Sequence, residues 1–203
     1  TIIISFCIKF PTLFHLSFNE GSLTSSFLAL AIIRSTINAG EICINEPTNY
    51  EARATMMLNG SYSHNGLTSL GKETTMSIHK MEHCLSAYKV DIAHGAGLSV
   101  LIPGWMSYCC DADIDKFVKF ANVVFDINVV DKTECAKMGI QSLKEFFKKI
   151  DMPVTLNELG LGEKDIPTLV NMMSANGTRL IGSSASIKLL NDEDCASILR
   201  SVL

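Results

Sequence analysis

Apolar positions along this chain recur with the three-and-four spacing of helices, not the alternation of strands. Phe117, Phe120, Ala121 and Val124 fall at i, i+3, i+4 and i+7; Ala136, Ile140, Leu143, Phe147 and Ile150 do likewise, with lysines opposite. Residues 27–38, FLALAIIRSTIN, make a strongly apolar helix that Ala39-Gly40 is expected to end, since glycine takes a left-handed stop at low cost. Thr48-Asn49-Tyr50-Glu51 has the form of a capping box and predicts a helical segment to about Leu70. Ser77–Tyr88 reads as a shorter helix, and Gly95–Cys110 as a buried one that Pro103 kinks or divides. Met152-Pro153 closes the helix before it, Thr155-x-x-Glu158 caps a short turn, and Asp165-Ile166-Pro167 opens a helix with proline in its first turn. Asn191 caps the last helix, 192–203. With no convincing strand, hairpin dipeptide or internal repeat, the predicted fold class is all-α, a bundle of roughly seven to nine helices with short connections.

Composition agrees with a packed bundle. The 203 residues are 47% apolar and 19% charged, enough for one ordinary domain with a sizeable core and too apolar for disorder. A formal net charge of −4 gives no reason to expect a nucleic acid or an anionic membrane held by charge alone. Seven cysteines, at 7, 43, 84, 109, 110, 135 and 195, form no CxxC pair, so neither a disulfide framework nor a thiolate zinc site is expected. They read as reduced, mostly buried thiols of a cytoplasmic protein, in which Asn59-Gly60-Ser61 and Asn176-Gly177-Thr178 are chance matches to the glycosylation pattern. The opening TIIISFCIKFPTLFHLSF is apolar but broken by Lys9 and Pro11, and is shorter than the ~20 apolar residues a spanning helix needs. It lacks the basic start and small-residue cleavage site of a signal peptide, and the missing initiator Met suggests a start inside a longer chain. No GxGxxG follows a strand, and neither a Walker motif nor Gly-x-Ser-x-Gly occurs.

Candidate chemistry lies in the histidines, four of which (His64, His79, His83 and His94) fall close together in the sequence. His79 and His83 are i and i+4, so they share a helical face, and His94 precedes a glycine-rich helix start able to bring its ring back toward them. Neutral imidazoles from two helices are a common way to hold Zn(II) or Fe(II). Spacing alone is a weak signal: Glu82 precedes the second histidine, where zinc proteases place a Glu after the first, and exposed helical histidines often share this spacing.

The surrounding residues say more. HKMEHCLSAYKVDIAHGAGLSVLIPGWMSY, residues 79–108, closely resembles the C-terminal-domain signature of iron-containing alcohol dehydrogenases, best in their butanol-dehydrogenase-like and usually NADPH-linked branch. EPTNYEARATMMLNGSYSHNGL (46–67), LKEFFKKIDMPVTLNELGLGEKDIPTLV (143–170) and the ending DEDCASILRSVL extend the likeness over about 20–203. The resemblance implies an N-terminal domain binding NADP or NAD, a helical domain supplying the metal, and an active site in the cleft between them. It implies one Asp and three His as ligands to Fe(II) or Zn(II), the last two histidines matching His79 and His94. His83 matches a histidine beside metal and nicotinamide, implicated in substrate or proton handling and so in catalysis and cofactor contact. A divalent cation held by neutral imidazoles polarises an alcohol or carbonyl oxygen at an open position, and hydride passes to or from the nicotinamide. A small alcohol or aldehyde substrate, a homodimeric full-length protein, and no nucleic-acid or membrane partner are also implied.

The chain departs from that pattern in two ways. The expected Asp-x-x-x-His upstream of 23–38 is missing: no carboxylate precedes Glu20, His15 is the one upstream histidine, and position 11 is Pro. His79 to His94 spans 15 residues, one more than the common interval, an insertion the connecting loop is expected to tolerate. The expected layout is an atypical apolar segment at 1–19 and a helical metal-binding catalytic domain at 20–203, the nucleotide domain lying outside this chain. A dehydrogenase fragment, a truncated product or a foreign N-terminal join would each leave the chain unable to turn over alcohol alone. The reading from another class is a non-catalytic helical interaction module, docking through the surface its partner domain once covered. Beyond these, His64 reads as an ordinary polar residue, with a substrate-side role as the sharper alternative. Met56, Met57, Met76, Met81, Met172 and Met173 read as core filler, Trp105 and Tyr108 as packing under the His94 helix, and the 144–149 charge run as a solvated face.

Overall fold

A computed structural model describes residues 23–71, 75–184 and 186–203. The apolar opening, with Cys7 and His15, lies outside the described residues. The architecture is all-α: among the described residues there is no strand beyond one isolated antiparallel bridge, Ile181 to Leu190. The helices are α1 (Leu23–Asn45), α2 (Tyr50–Tyr62), α3 (Ser77–Tyr88), α4 (His94–Cys109), α5 (Ile114–Phe125), α6 (Lys132–Lys149), α7 (Ile166–Ser174) and α8 (Asp192–Arg200).

The periodic segments pack as their spacing requires. Phe117, Phe120, Ala121 and Val124 of α5 are buried, as are Ala136, Ile140, Leu143 and Phe147 of α6 and Ile150 just after it. The two helices lie against each other so closely that a methyl on Gly139 would come 2.6 Å from the Ala121 methyl. Helix α4 is the axis of the bundle, buried along most of its length and packed against α3, α6 and α8. Its proline does not divide it: α4 continues through Pro103.

Helix ends show where local signals held and where they did not. Asn191 accepts from the Asp194 amide while Asp194 accepts from the Asn191 amide, a reciprocal cap on α8. Glu158 accepts from the Val154 and Thr155 amides, and its own amide donates to the Thr155 hydroxyl. Before α2 the cap is Asn49, not Thr48: its side chain accepts from the Ala52 amide, and the helix stops at Tyr62 well short of Leu70. Gly40 does not end α1, which runs on to Asn45; a methyl there would stand 3.3 Å from the Phe146 ring, so this glycine admits α6. Helix α1 is long and apolar enough to cross a membrane by length and composition, yet 50% of its most apolar window is buried inside the bundle.

Two packing expectations need correction. Met56, Met81 and Met173 are core residues and Met172 is half-buried, whereas Met57 and Met76 are exposed because they fall on the outer side of their turns. Trp105 and Tyr108 do not lie under the His94 helix but belong to it: Trp105 is buried, and the Tyr108 hydroxyl donates to Asp194 and so ties α4 to α8. The six cysteines in the described residues are free and buried, and burial pushes the Cys109 and Cys195 thiols up to about 12, which leaves them unreactive.

Candidate metal centre

Helix α3 presents His79 and His83 one turn apart, and the chain reverses over 89–93 to begin α4 with His94 at its first position. The buried Ile92 anchors that reversal, its amide donating to the Lys89 carbonyl, while the Lys89 ammonium donates to Leu159 O at 2.7 Å. The three rings meet: centroids lie 5.2 Å apart for His79 and His94, 5.1 Å for His83 and His94, and 6.1 Å for His79 and His83. The longer interval between His79 and His94 therefore still brings their rings together.

These separations test whether one cation fits. A ligand nitrogen sits about 2.1 Å from zinc, which puts its ring centre roughly 3.2 Å away and two ligand rings at a tetrahedral centre roughly 5 Å apart. The His79–His94 and His83–His94 pairs meet that distance and the His79–His83 pair is too wide, so His94 is the ring common to either arrangement. Ligand atoms of Glu82, His83 and His94 also lie within 4.8 Å of one another. His79 is buried, His94 half-buried and His83 exposed, a gradient from the bundle interior to its surface. Burial lowers the His94 pKa from its ordinary imidazole value, which favours the neutral, lone-pair-bearing form. The donor set suits a borderline cation such as Zn(II) or Fe(II).

His64 stands apart from this group, exposed just beyond the end of α2 with its Nδ1 2.9 Å from the Ser63 hydroxyl. Glu82 is the residue that sequence reasoning passed over. It is fully buried between α3 and α4, touching His94 Nδ1 through Oε2 and accepting the Ser86 hydroxyl at Oε1. The signal was there: Glu82 is i+3 from His79 and so falls on the same helical side. Gly97, one turn into α4, leaves the space for its carboxylate.

The sequence model of the iron-containing alcohol dehydrogenase family, C-terminal, matches residues 15–203. NADH-dependent butanol dehydrogenase A of Clostridium acetobutylicum is 37% identical over 183 residues, 89% of this chain and 46% of that protein. The NADPH-dependent aldehyde reductase YqhD of Escherichia coli is 26% identical over 161 residues, 79% of this chain and 41% of its own length. Among solved structures, NADH-dependent butanol dehydrogenase A from Thermotoga maritima matches with a TM-score of 0.88 at 28% identity, over 98% of this chain and 51% of that one. The chain spans about half the length of these relatives.

Proposed function

This chain belongs to the iron-containing alcohol dehydrogenase family, and on that premise we propose that its helical unit is the metal-binding half of an NAD(P)-linked alcohol dehydrogenase or aldehyde reductase. The observation that carries this reading is the meeting of His79 and His94, from two helices, at the separation a shared cation requires, with His83 beside them. His79 and His94 hold Fe(II) or Zn(II), His79 from the interior and His94 from the start of α4. The bound cation supplies Lewis-acid polarisation of an alcohol or aldehyde oxygen, and the hydride chemistry belongs to the nicotinamide. His83 is exposed beside them, where it would lie next to substrate and nicotinamide and could carry the hydroxyl proton to and from solvent. The apolar packing of α4 behind His94 keeps that ring in place against α3. The family likeness assigns a further Asp, a further His and the nucleotide site to sequence outside 20–203.

The test is anaerobic binding of Fe(II) and Zn(II) by the chain, with His79→Ala and His94→Ala beside it. Each variant is expected to weaken binding by about tenfold or more, in line with loss of a ligand. Binding unchanged in both variants would overturn the ligand assignment. No binding by the unmodified chain would leave either a site that needs the further Asp and His or a bundle that works only as an interaction surface.

A further inference from the structure

We propose that Glu82 is the positioning residue of this centre: its carboxylate accepts the Nδ1 hydrogen of His94 and so turns the Nε2 lone pair toward the cation. This deepens the metal-binding reading and rests on it. Glutamate is among the residues least often fully buried without a partner, yet the Glu82 side chain is 0% exposed. Its two oxygens have separate partners, Oε2 meeting His94 Nδ1 and Oε1 taking the Ser86 hydroxyl one turn further along α3.

The neighbouring helix is shaped around it. A methyl on Gly97 would lie 2.6 Å from Oε1, 2.7 Å from Cγ and 3.1 Å from Cδ of Glu82, so α4 passes this carboxylate only because position 97 carries no side chain. The contact falls in the first turn of α4, where the helix dipole favours negative charge. An ionised Glu82 carboxylate can only accept, so the hydrogen between it and Nδ1 is the ring's. Carboxylate–histidine–metal arrangements work in this way: the outer acceptor fixes tautomer and ring orientation and raises the basicity of the ligand nitrogen. The reverse arrangement, a carboxylic acid donating to Nδ1, would put the ring hydrogen on Nε2 and close that nitrogen to a cation.

The experiment reads His94 directly and then its consequence. Histidine ring 15N shifts of the metal-free protein report which nitrogen carries the hydrogen, and Zn(II) competition with a chelator reports affinity, for the unmodified protein, Glu82→Gln and Glu82→Leu. The hydrogen is expected on Nδ1 in the unmodified protein and in Glu82→Gln, whose amide oxygen still accepts it, with Zn(II) affinity of that variant within a few-fold. Glu82→Leu is expected to lose the Nδ1–H tautomer and about 10–100-fold in affinity. A hydrogen on Nε2 in the unmodified protein, or a Glu82→Leu variant unchanged in both tautomer and affinity, would overturn the proposal. If the tautomer behaves as expected but no histidine-dependent Zn(II) binding exists, the hydrogen-bond assignment stands and the metal-binding reading falls.

Discussion

Replacing Gly97 by alanine separates the stability of α4 from the integrity of the Glu82 contact. The added methyl would approach three Glu82 atoms at 2.6, 2.7 and 3.1 Å. Comfortable separations are about 3.5–4.0 Å, so the glutamate has to move. Overpacking a buried site costs about 1–3 kcal/mol. Against this, alanine favours a helix over glycine by about 0.5–1 kcal/mol. The net expectation for Gly97→Ala is a loss of about 1 kcal/mol, or roughly 2–4 °C in Tm for a chain of this size. In a Glu82→Ala background the three obstructing atoms are gone, and the same substitution should stabilise by about 0.5–1 kcal/mol. Chemical denaturation of the four proteins in the cycle measures this sign reversal, and Zn(II) competition on Gly97→Ala should show a loss resembling that of Glu82→Leu. Additivity of the two substitutions within about 0.5 kcal/mol would refute the account, because residues in contact are expected to couple more strongly than that.

Gly139→Ala should destabilise by about 2 kcal/mol while leaving Zn(II) affinity unchanged, since its methyl would meet Ala121 at Cβ and, at 2.9 Å, at Cα, where backbone cannot swing aside; an unaltered Tm would show that α5 and α6 separate easily. Asp194→Asn should lower the urea midpoint at pH 7 and lower it by less at pH 3. Burial opposes the Asp194 charge, but the Tyr108 hydroxyl, the Asn191 amide and the Lys188 ammonium outweigh it and hold the carboxyl below its usual range. The contribution of a depressed carboxylate is present above the unfolded value near 3.9 and is lost as pH falls through the folded one; an equal difference at both pH values would count against this. Asp151→Gly should raise Tm slightly, by about 0.5–1 kcal/mol of stability, because Asp151 is exposed and holds φ at 58° just after α6, where glycine is unstrained; a lower Tm would mean the carboxylate contributes more than the backbone preference.

Much of the fold was legible because its strongest signals are local. The 3.6-residue repeats of α5 and α6 fix which face is buried whatever they pack against, and Asn191 caps α8 through a bond to a residue three positions on. The limits of α3 were legible too, from Ser77 to Tyr88. What could not be read locally was competition between neighbouring signals. Thr48 and Asn49 both have capping side chains, and Asn49 takes the role while being held by Glu46 at 2.8 Å. The site was legible in part: the spacing put His79 and His83 on one face, but only the path of 89–93 places His94 against both.

Glycine shows why the remainder stayed hidden. In a sequence, glycine reads as punctuation, and by that grammar Gly40 ends a helix and Gly95-Ala96-Gly97 merely opens one. In the folded chain Gly40, Gly97 and Gly139 all sit inside helices and mark places where another element comes close: the Phe146 ring, the Glu82 carboxylate and the Ala121 backbone. A helix interior disfavours glycine by about 0.5–1 kcal/mol relative to alanine, so each of these positions trades local helix stability for a tertiary contact. At Gly40 and Gly139 the contact is between apolar surfaces and serves packing. At Gly97 it is with a buried carboxylate that also touches His94, so there the same sacrifice admits the contact on which the proposed metal site rests. In this chain Gly97 within an apolar helix, facing an acid that lies among histidines, is thus the sequence feature that marks the Glu82–His94 contact, one that histidine spacing alone does not contain.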